Sequence, residues 1–374
     1  MRLYVEHEGV LYRNPRPGMR AECAFLPNVL PLNEGSLLCV YRIGQAFYSN
    51  DGKLSLLRSC NGGTEWMEDG LLWDPANDPQ PHNYTAPHAS CLRDGTLLVV
   101  AFRFDVSDPE ATMSNDETGG FCYLEKVLFK STDNGHTWEG PHVIDLSDGG
   151  SGDVPSQIIE LNNGRLFVPV EVWKSWDDRS PLHIKGFGLL SDDGGQTWSD
   201  RVEYPSASNS EKMFSHTRYT RMLDGRILGL HWTQSIGGQE NFDLHRVISD
   251  ESATKWSEPV STGLVAQTCW PADLGEGRIA VAYTRREGRK PGVYVALSFD
   301  EGLTWDVDNE TQVWDAVGQE YLGVEHVPEY PRSHDNIAFG KPNLARLPDG
   351  ELIAAWWCTQ ACVTHTRFAK LALK

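Results

Sequence analysis

Six times along the chain an apolar run stops at a short polar turn ending in glycine, and a second apolar run follows. The turns are centred on Gly35 (PLNEGSLLCVYR), Gly95 (CLRDGTLLVVAFR), Gly164 (ELNNGRLFVPVEVW), Gly225 (MLDGRILGLHW), Gly277 (DLGEGRIAVAYTR) and Gly350 (RLPDGELIAAWW). Apolar runs on both sides of such a turn predict β-hairpins. Successive glycines are 60, 69, 61, 52 and 73 residues apart, enough for four short strands and their loops in each unit. A length of 374 residues fits two average domains or one repeat domain, and the self-similarity selects the second, over residues 1–374. The 13 Trp, 35 Gly and 21 Pro, without long helical periodicity, suit many strands joined by turns. The expected fold is all-β: a six-bladed β-propeller with four-stranded antiparallel blades.

A second repeat trails the first. Ser131–Trp138 (STDNGHTW), Ser191–Trp198 (SDDGGQTW) and Ser298–Trp305 (SFDEGLTW) share the pattern S-x-D-x-G-x-T-W, and worn copies lie at Ser59–Trp66 (SCNGGTEW) and Ser249–Trp256 (SDESATKW). The pattern suits a tight turn in which Asp accepts backbone N–H groups, Gly takes positive φ and Trp packs beneath. Its role is structural. The motif resembles the Asp-box of the sialidase-like β-propellers. Blades one to five carry one, while blade six runs out at Thr364–Leu371 without it. Leu3–Val5 or Val10–Tyr12 is expected to supply the missing strand and close the ring, which leaves no free sheet edge.

In a propeller the innermost strands surround the axis, so their first residues converge. Seven positions before each hairpin glycine stand Asn28, His88, Gln157, Arg218, Trp270 and Asn343; nine before stand Leu26, Ala86, Pro155, His216, Thr268 and Lys341. Period-two alternation puts both columns on one face. Amides, imidazoles, cations and an indole there suit a hydroxyl-rich ligand. The hairpins add Arg42, Arg103 with Asp105, Glu171 and Arg286. Arginine holds a carboxylate bidentately, and Trp covers the C–H face of a sugar. The loop before blade six brings Glu325, His326, Tyr330, Arg332, His334 and Asp335, candidate acids and bases.

The resemblance covers the whole chain and implies an exo-acting glycosidase on a terminal sugar, neutral or anionic. In true sialidases it implies three arginines on the sugar carboxylate, an Asp acid/base, and a Tyr nucleophile aided by Glu. Two of these are unmatched: the first arginine falls on Phe25 in Ala24-Phe25-Leu26-Pro27, and the Tyr on Gly340 or Lys341. Arg218, Arg286 and Glu171 match the remaining positions weakly. The leading expectation is therefore a glycoside hydrolase with catalytic His88, Arg218, Glu171, Asp105 and Asp335. Substrate would be held by Arg42, Arg103, Gln157, His216, Trp270, Arg286, Lys341 and Asn343. The alternatives are a uronate lyase using His88 as acid/base and a sugar-binding propeller without turnover.

A net charge of −19 disfavours nucleic acid and acidic lipid as partners, and a carbohydrate partner is what the resemblance implies. No run reaches about 18 apolar residues and the N-terminus has no apolar signal core, so the expectation is a chain without a membrane span, cytoplasmic, or secreted if a leader has been removed. Eight cysteines without CxxC pairs read as reduced, buried thiols rather than a zinc site. No GxGxxG, Walker or HExxH motif and no EF-hand loop appears, so neither cofactor nor metal is expected.

Overall fold

The computed structural model describes residues 1–145, 151–203, 211–286, 290–317 and 337–374. Each hairpin glycine joins the first two strands of a blade. Blade one holds β2 (Cys23–Pro31), β3 (Leu37–Gly44), β4 (Lys53–Ser59) and β5 (Met67–Leu71), and blade two β6 (His82–Cys91), β7 (Leu97–Asp105), β8 (Glu125–Ser131) and β9 (Glu139–Val143). Blade three divides its innermost strand into β10 (Gly152–Asp153) and β11 (Ile159–Glu160), followed by β12 (Leu166–Val172), β13 (Lys185–Ser191) and β14 (Ser199–Glu203). Blade four is β15 (Lys212–Arg221), β16 (Ile227–Ser235), β17 (Asp243–Ile248) and β18 (Val260–Val265). Blade five is β19 (Cys269–Gly275), β20 (Arg278–Arg285), β21 (Gly292–Ser298) and β22 (Thr311–Asp315).

Blade six contains β23 (Phe339–Arg346), β24 (Leu352–Gln360) and β25 (Val363–Leu373), and its fourth strand is β1 (Leu3–Tyr12). β1 runs antiparallel to β25 from Leu3↔Leu373 to Tyr12↔Thr366. The ring is closed by strands from opposite ends of the chain, and six four-stranded sheets surround one axis.

The core lies between blades. Six apolar clusters each draw on two neighbouring sheets: Leu38 and Val40 with Val99 and Phe129, Leu98 and Val100 with Val168 and Phe187, and so on to Leu11 and Cys39 with Ile353 and Phe368 across the closure. The middle strands are buried on both faces, as β3, β7 and β24 show, while outer strands such as β5 and β9 meet solvent. Cys39, Cys269 and Cys358 are buried as expected, but Cys60 and Cys362 are exposed. Among the described residues the helices are two three-residue turns, and none is long and apolar enough to cross a membrane.

The S-x-D-x-G-x-T-W turns are built alike. Asp133 accepts the Thr137 N–H at 2.9 Å and its hydroxyl at 2.6 Å, the Ser131 Oγ accepts the Gly135 N–H at 2.9 Å, and the Trp138 indole donates to the Gly135 carbonyl. The worn copies close the same way: Asn61 accepts the Glu65 N–H, and Ala253 takes the glycine place at φ +58° beneath the Trp256 indole. These turns also bolt blades together. Gly135 lies against Leu38 of blade one, Gly195 against Leu128 of blade two, Gly302 against Leu228 of blade four, and Gly63 against Ile353 of blade six.

Candidate functional site: a cup on the propeller axis

The innermost strands do not keep period two. Their pairing skips two residues between Phe25 and Asn28, Thr85 and His88, Ser215 and Arg218, and Gly340 and Asn343. At each skip one non-glycine residue is left-handed: Leu26 (φ +56°), Ala86 (+51°), His216 (+46°) and Lys341 (+37°). Such conformations cost free energy and gather where a bulge re-aims a side chain. Pro27, Pro87 and Pro342 follow three of them; proline lacks the N–H that a regular ladder needs. The two register columns are therefore separated in depth. Leu26, Ala86, His216 and Lys341 line a cup at one end of the axis, and Asn28, His88, Arg218, Trp270 and Asn343 line a chamber below it that Leu26, Ala86 and Lys341 also border.

The cup is walled by Phe47, Tyr48, Phe102, Met113, Phe121, Leu124 and Trp173. Two insertions lace together beside it: the Lys174 ammonium donates to the Thr118 carbonyl at 2.6 Å, and the Phe121 N–H donates to the Lys174 carbonyl at 3.0 Å. This wall is apolar, and the titratable groups that line the cup are Asp153, Lys341 and His216.

Asp153 pairs with Glu171 across β10 and β12, so the two carboxyl groups stand side by side on one face. Burial raises the Asp153 pKa against the pull of Lys341, Arg218 and Lys126. Burial likewise raises Glu171 to about 7, and the neighbouring Asp153 charge adds to this. Both Glu171 oxygens are occupied: Oε2 accepts the His216 N–H at 2.9 Å, and Oε1 accepts the Thr217 N–H at 3.0 Å and its hydroxyl at 3.1 Å. Glu171 thus holds the blade-four bulge in place, and Asp153 is the carboxyl that lines the cup. The half-buried Lys341 has its ammonium lowered to about 8 by burial, opposed by Asp153.

Several expected ligand-binding residues serve the scaffold instead. The Asn343 side chain accepts the Val29 N–H of blade one at 2.9 Å, and Gln157 donates to the Tyr219 carbonyl of blade four at 2.7 Å, stitching adjacent inner strands. Arg42 is buried and donates to the Ala46 and Ser49 carbonyls. Arg103 is committed to Glu125 at 2.6 Å and Tyr84 at 3.0 Å, and Asp105 is exposed, accepting from Ser107. The Arg286 guanidinium donates to the Phe339 carbonyl at the blade-six edge. His88, Arg218 and Trp270 lie in the lower chamber, His88 and Arg218 each just past a bulge. Asp335 and the loop acids and bases around it fall outside the described residues.

Asp153 was absent from the sequence-based set. A signal existed: eleven residues before the hairpin glycines stand Ala24, Tyr84, Asp153, Phe214, Ala266 and Phe339, and Asp153 is the one carboxylate in that column.

No family model matches the chain. A sialidase from Paraclostridium sordellii is 25% identical over 130 residues, which are 32% of this chain and 30% of that protein. The chain superposes on a protein of unknown function from Dyadobacter fermentans with a TM-score of 0.74 at 16% identity, covering 100% of this chain and 99% of that one. A Hadza microbial sialidase superposes with a TM-score of 0.65 at 14% identity, over 93% of this chain and 65% of that one. The fold is the sialidase-like six-bladed propeller. An α-L-arabinofuranosidase from Fusarium graminearum shares it, with a TM-score of 0.62, 14% identity, and coverage of 99% and 98%. In this sialidase-like propeller Phe25, at the expected first-arginine position, is packed edge-on against Phe47 at 5.2 Å and Trp357 at 5.3 Å.

Proposed function

We propose that this protein is an exo-acting glycoside hydrolase that takes a terminal sugar into the cup, with Asp153 as general acid. The observation that carries this reading is a carboxyl group whose pKa is raised by burial, lining a cup otherwise walled by aromatic and apolar side chains. A protonated acid in such a site delivers its proton to the glycosidic oxygen as the bond to the anomeric carbon breaks. Water attacks that carbon and gives its proton to His216, on the same wall. Phe47, Phe102, Phe121 and Trp173 cover the C–H face of the ring, and the Lys341 ammonium meets an electronegative substituent. The bulge residues narrow the axis beneath, so substrate enters from one side and is cleaved at its end. Likeness to sialidases and to an arabinofuranosidase, proteins of this fold named for acting on glycosides, supports the chemical class.

The test is a screen of terminal sialyl, arabinosyl, rhamnosyl and glucuronyl glycans, following both new reducing ends and near-ultraviolet absorbance. Release of single sugars without a chromophore is expected. An unsaturated product would assign elimination instead, and binding without release would leave only a lectin-like role. Asp153→Asn is expected to lower turnover about 10²–10³-fold with an unchanged melting temperature; activity within threefold of the parent excludes Asp153 as the acid.

A further inference from the structure

We propose that the axial chamber beneath the cup is a binding site for a small inorganic anion of the size of chloride, held by Arg218 and His88. Both side chains are more than nine-tenths buried, His88 at 5% and Arg218 at 2% exposure. The Arg218 Nη1 and both His88 ring nitrogens have no hydrogen-bond partner among the described residues. Buried donors are rarely left this way, because each forfeits the hydrogen bond it had with water. The two groups converge on one ring: His88 lies 5.6 Å from the Trp270 centroid and the Arg218 guanidinium 5.4 Å from it.

Size and charge choose the ligand. The chamber has room at its centre for about one water-sized sphere, too little for a sugar or a phosphate. Pro27, Pro87 and Pro342 form its walls and offer no N–H, so the donors are side chains. Lys341 borders the same space; of the two carboxyl groups that act on Arg218, Asp153 lines the cup, where burial raises its pKa, and Glu171 spends both oxygens on the His216 and Thr217 amides. Two cations and a neutral imidazole with one N–H to give favour a single negative charge over a cation. The site lies outside the cup and nothing in its recognition requires turnover.

Two measurements on the full chain decide it. Crystals soaked in sodium bromide should show one anomalous peak in the chamber, in contact with Arg218 Nη1 and His88. In solution the melting temperature should be higher in sodium chloride than in sodium gluconate at equal ionic strength, by roughly 2–4 °C and saturably, as expected for a ligand that binds only the folded state. Arg218→Gln should abolish that difference and His88→Gln should reduce it. Absence of the bromide peak overturns the proposal, as does a chloride effect that persists undiminished in Arg218→Gln. If Arg218→Gln does not fold, the bromide map of the parent decides alone. Because neither readout follows sugar release, failure here leaves the hydrolase reading standing, and the reverse also holds.

Discussion

Glu171 shows how one side chain can set the pH response of the site. Its folded pKa of about 7 exceeds the ordinary 4.5, so between these values the native state binds more protons than the unfolded chain. Stability contributed by that proton is complete below about pH 4.5 and is lost as pH rises toward 7. Glu171→Gln cannot titrate, so its melting temperature should vary less between pH 5 and 7 than that of the parent; melts at pH 5, 6 and 7 make the comparison. Lys341 has the opposite sense. Its ammonium falls to about 8 from 10.5, so its burial penalty is largest below pH 8 and fades as pH climbs to 10.5. For catalysis, Asp153 must stay protonated, and turnover should decline as pH rises through its elevated pKa.

Residue types near the axis were legible in the sequence, but their depth was not. Counting back from the hairpin glycines found His88, His216, Arg218 and Lys341. It also assumed unbroken alternation, which the two-residue bulges abolish. The recurring Pro27, Pro87 and Pro342 mark three of those bulges, and reading them as ladder breaks would have separated cup from chamber. Asp153 escaped because its strand splits into β10 and β11 and its column is otherwise apolar or phenolic.

Among the elements, the S-x-D-x-G-x-T-W turns are clamped as their sequence predicts, and their reach extends to the neighbouring blade. Ser131 tests this. Its hydroxyl accepts the N–H of the buried Gly135, whose surroundings include Leu38 of the preceding sheet. Ser131→Ala leaves that donor unsatisfied and should cost about 1–3 kcal/mol in urea unfolding, without changing sugar release. The turn at Glu276 and Gly277, with φ +56° and +75°, is the one two-residue hairpin among the six, and its left-handed pair explains why glycine stands second.

For the whole molecule, closure is the property that sequence periodicity predicted best, because a sixth blade one strand short must find a partner elsewhere. β1 buries Leu3 and Leu11 in two different inter-blade clusters, so it seals both flanks of the last blade. Deleting residues 1–12 should lower the melting temperature by more than about 10 °C or abolish a cooperative transition, since the exposed edge of β25 and two opened clusters are lost together. An unchanged melt in calorimetry excludes the closing role.

The pairing of Leu3 with Leu373 also dictates an order of events during biosynthesis. A ribosome makes β1 long before β25, so the growing polypeptide carries an unmated edge until the partner strand has emerged, and the ring stays open until then.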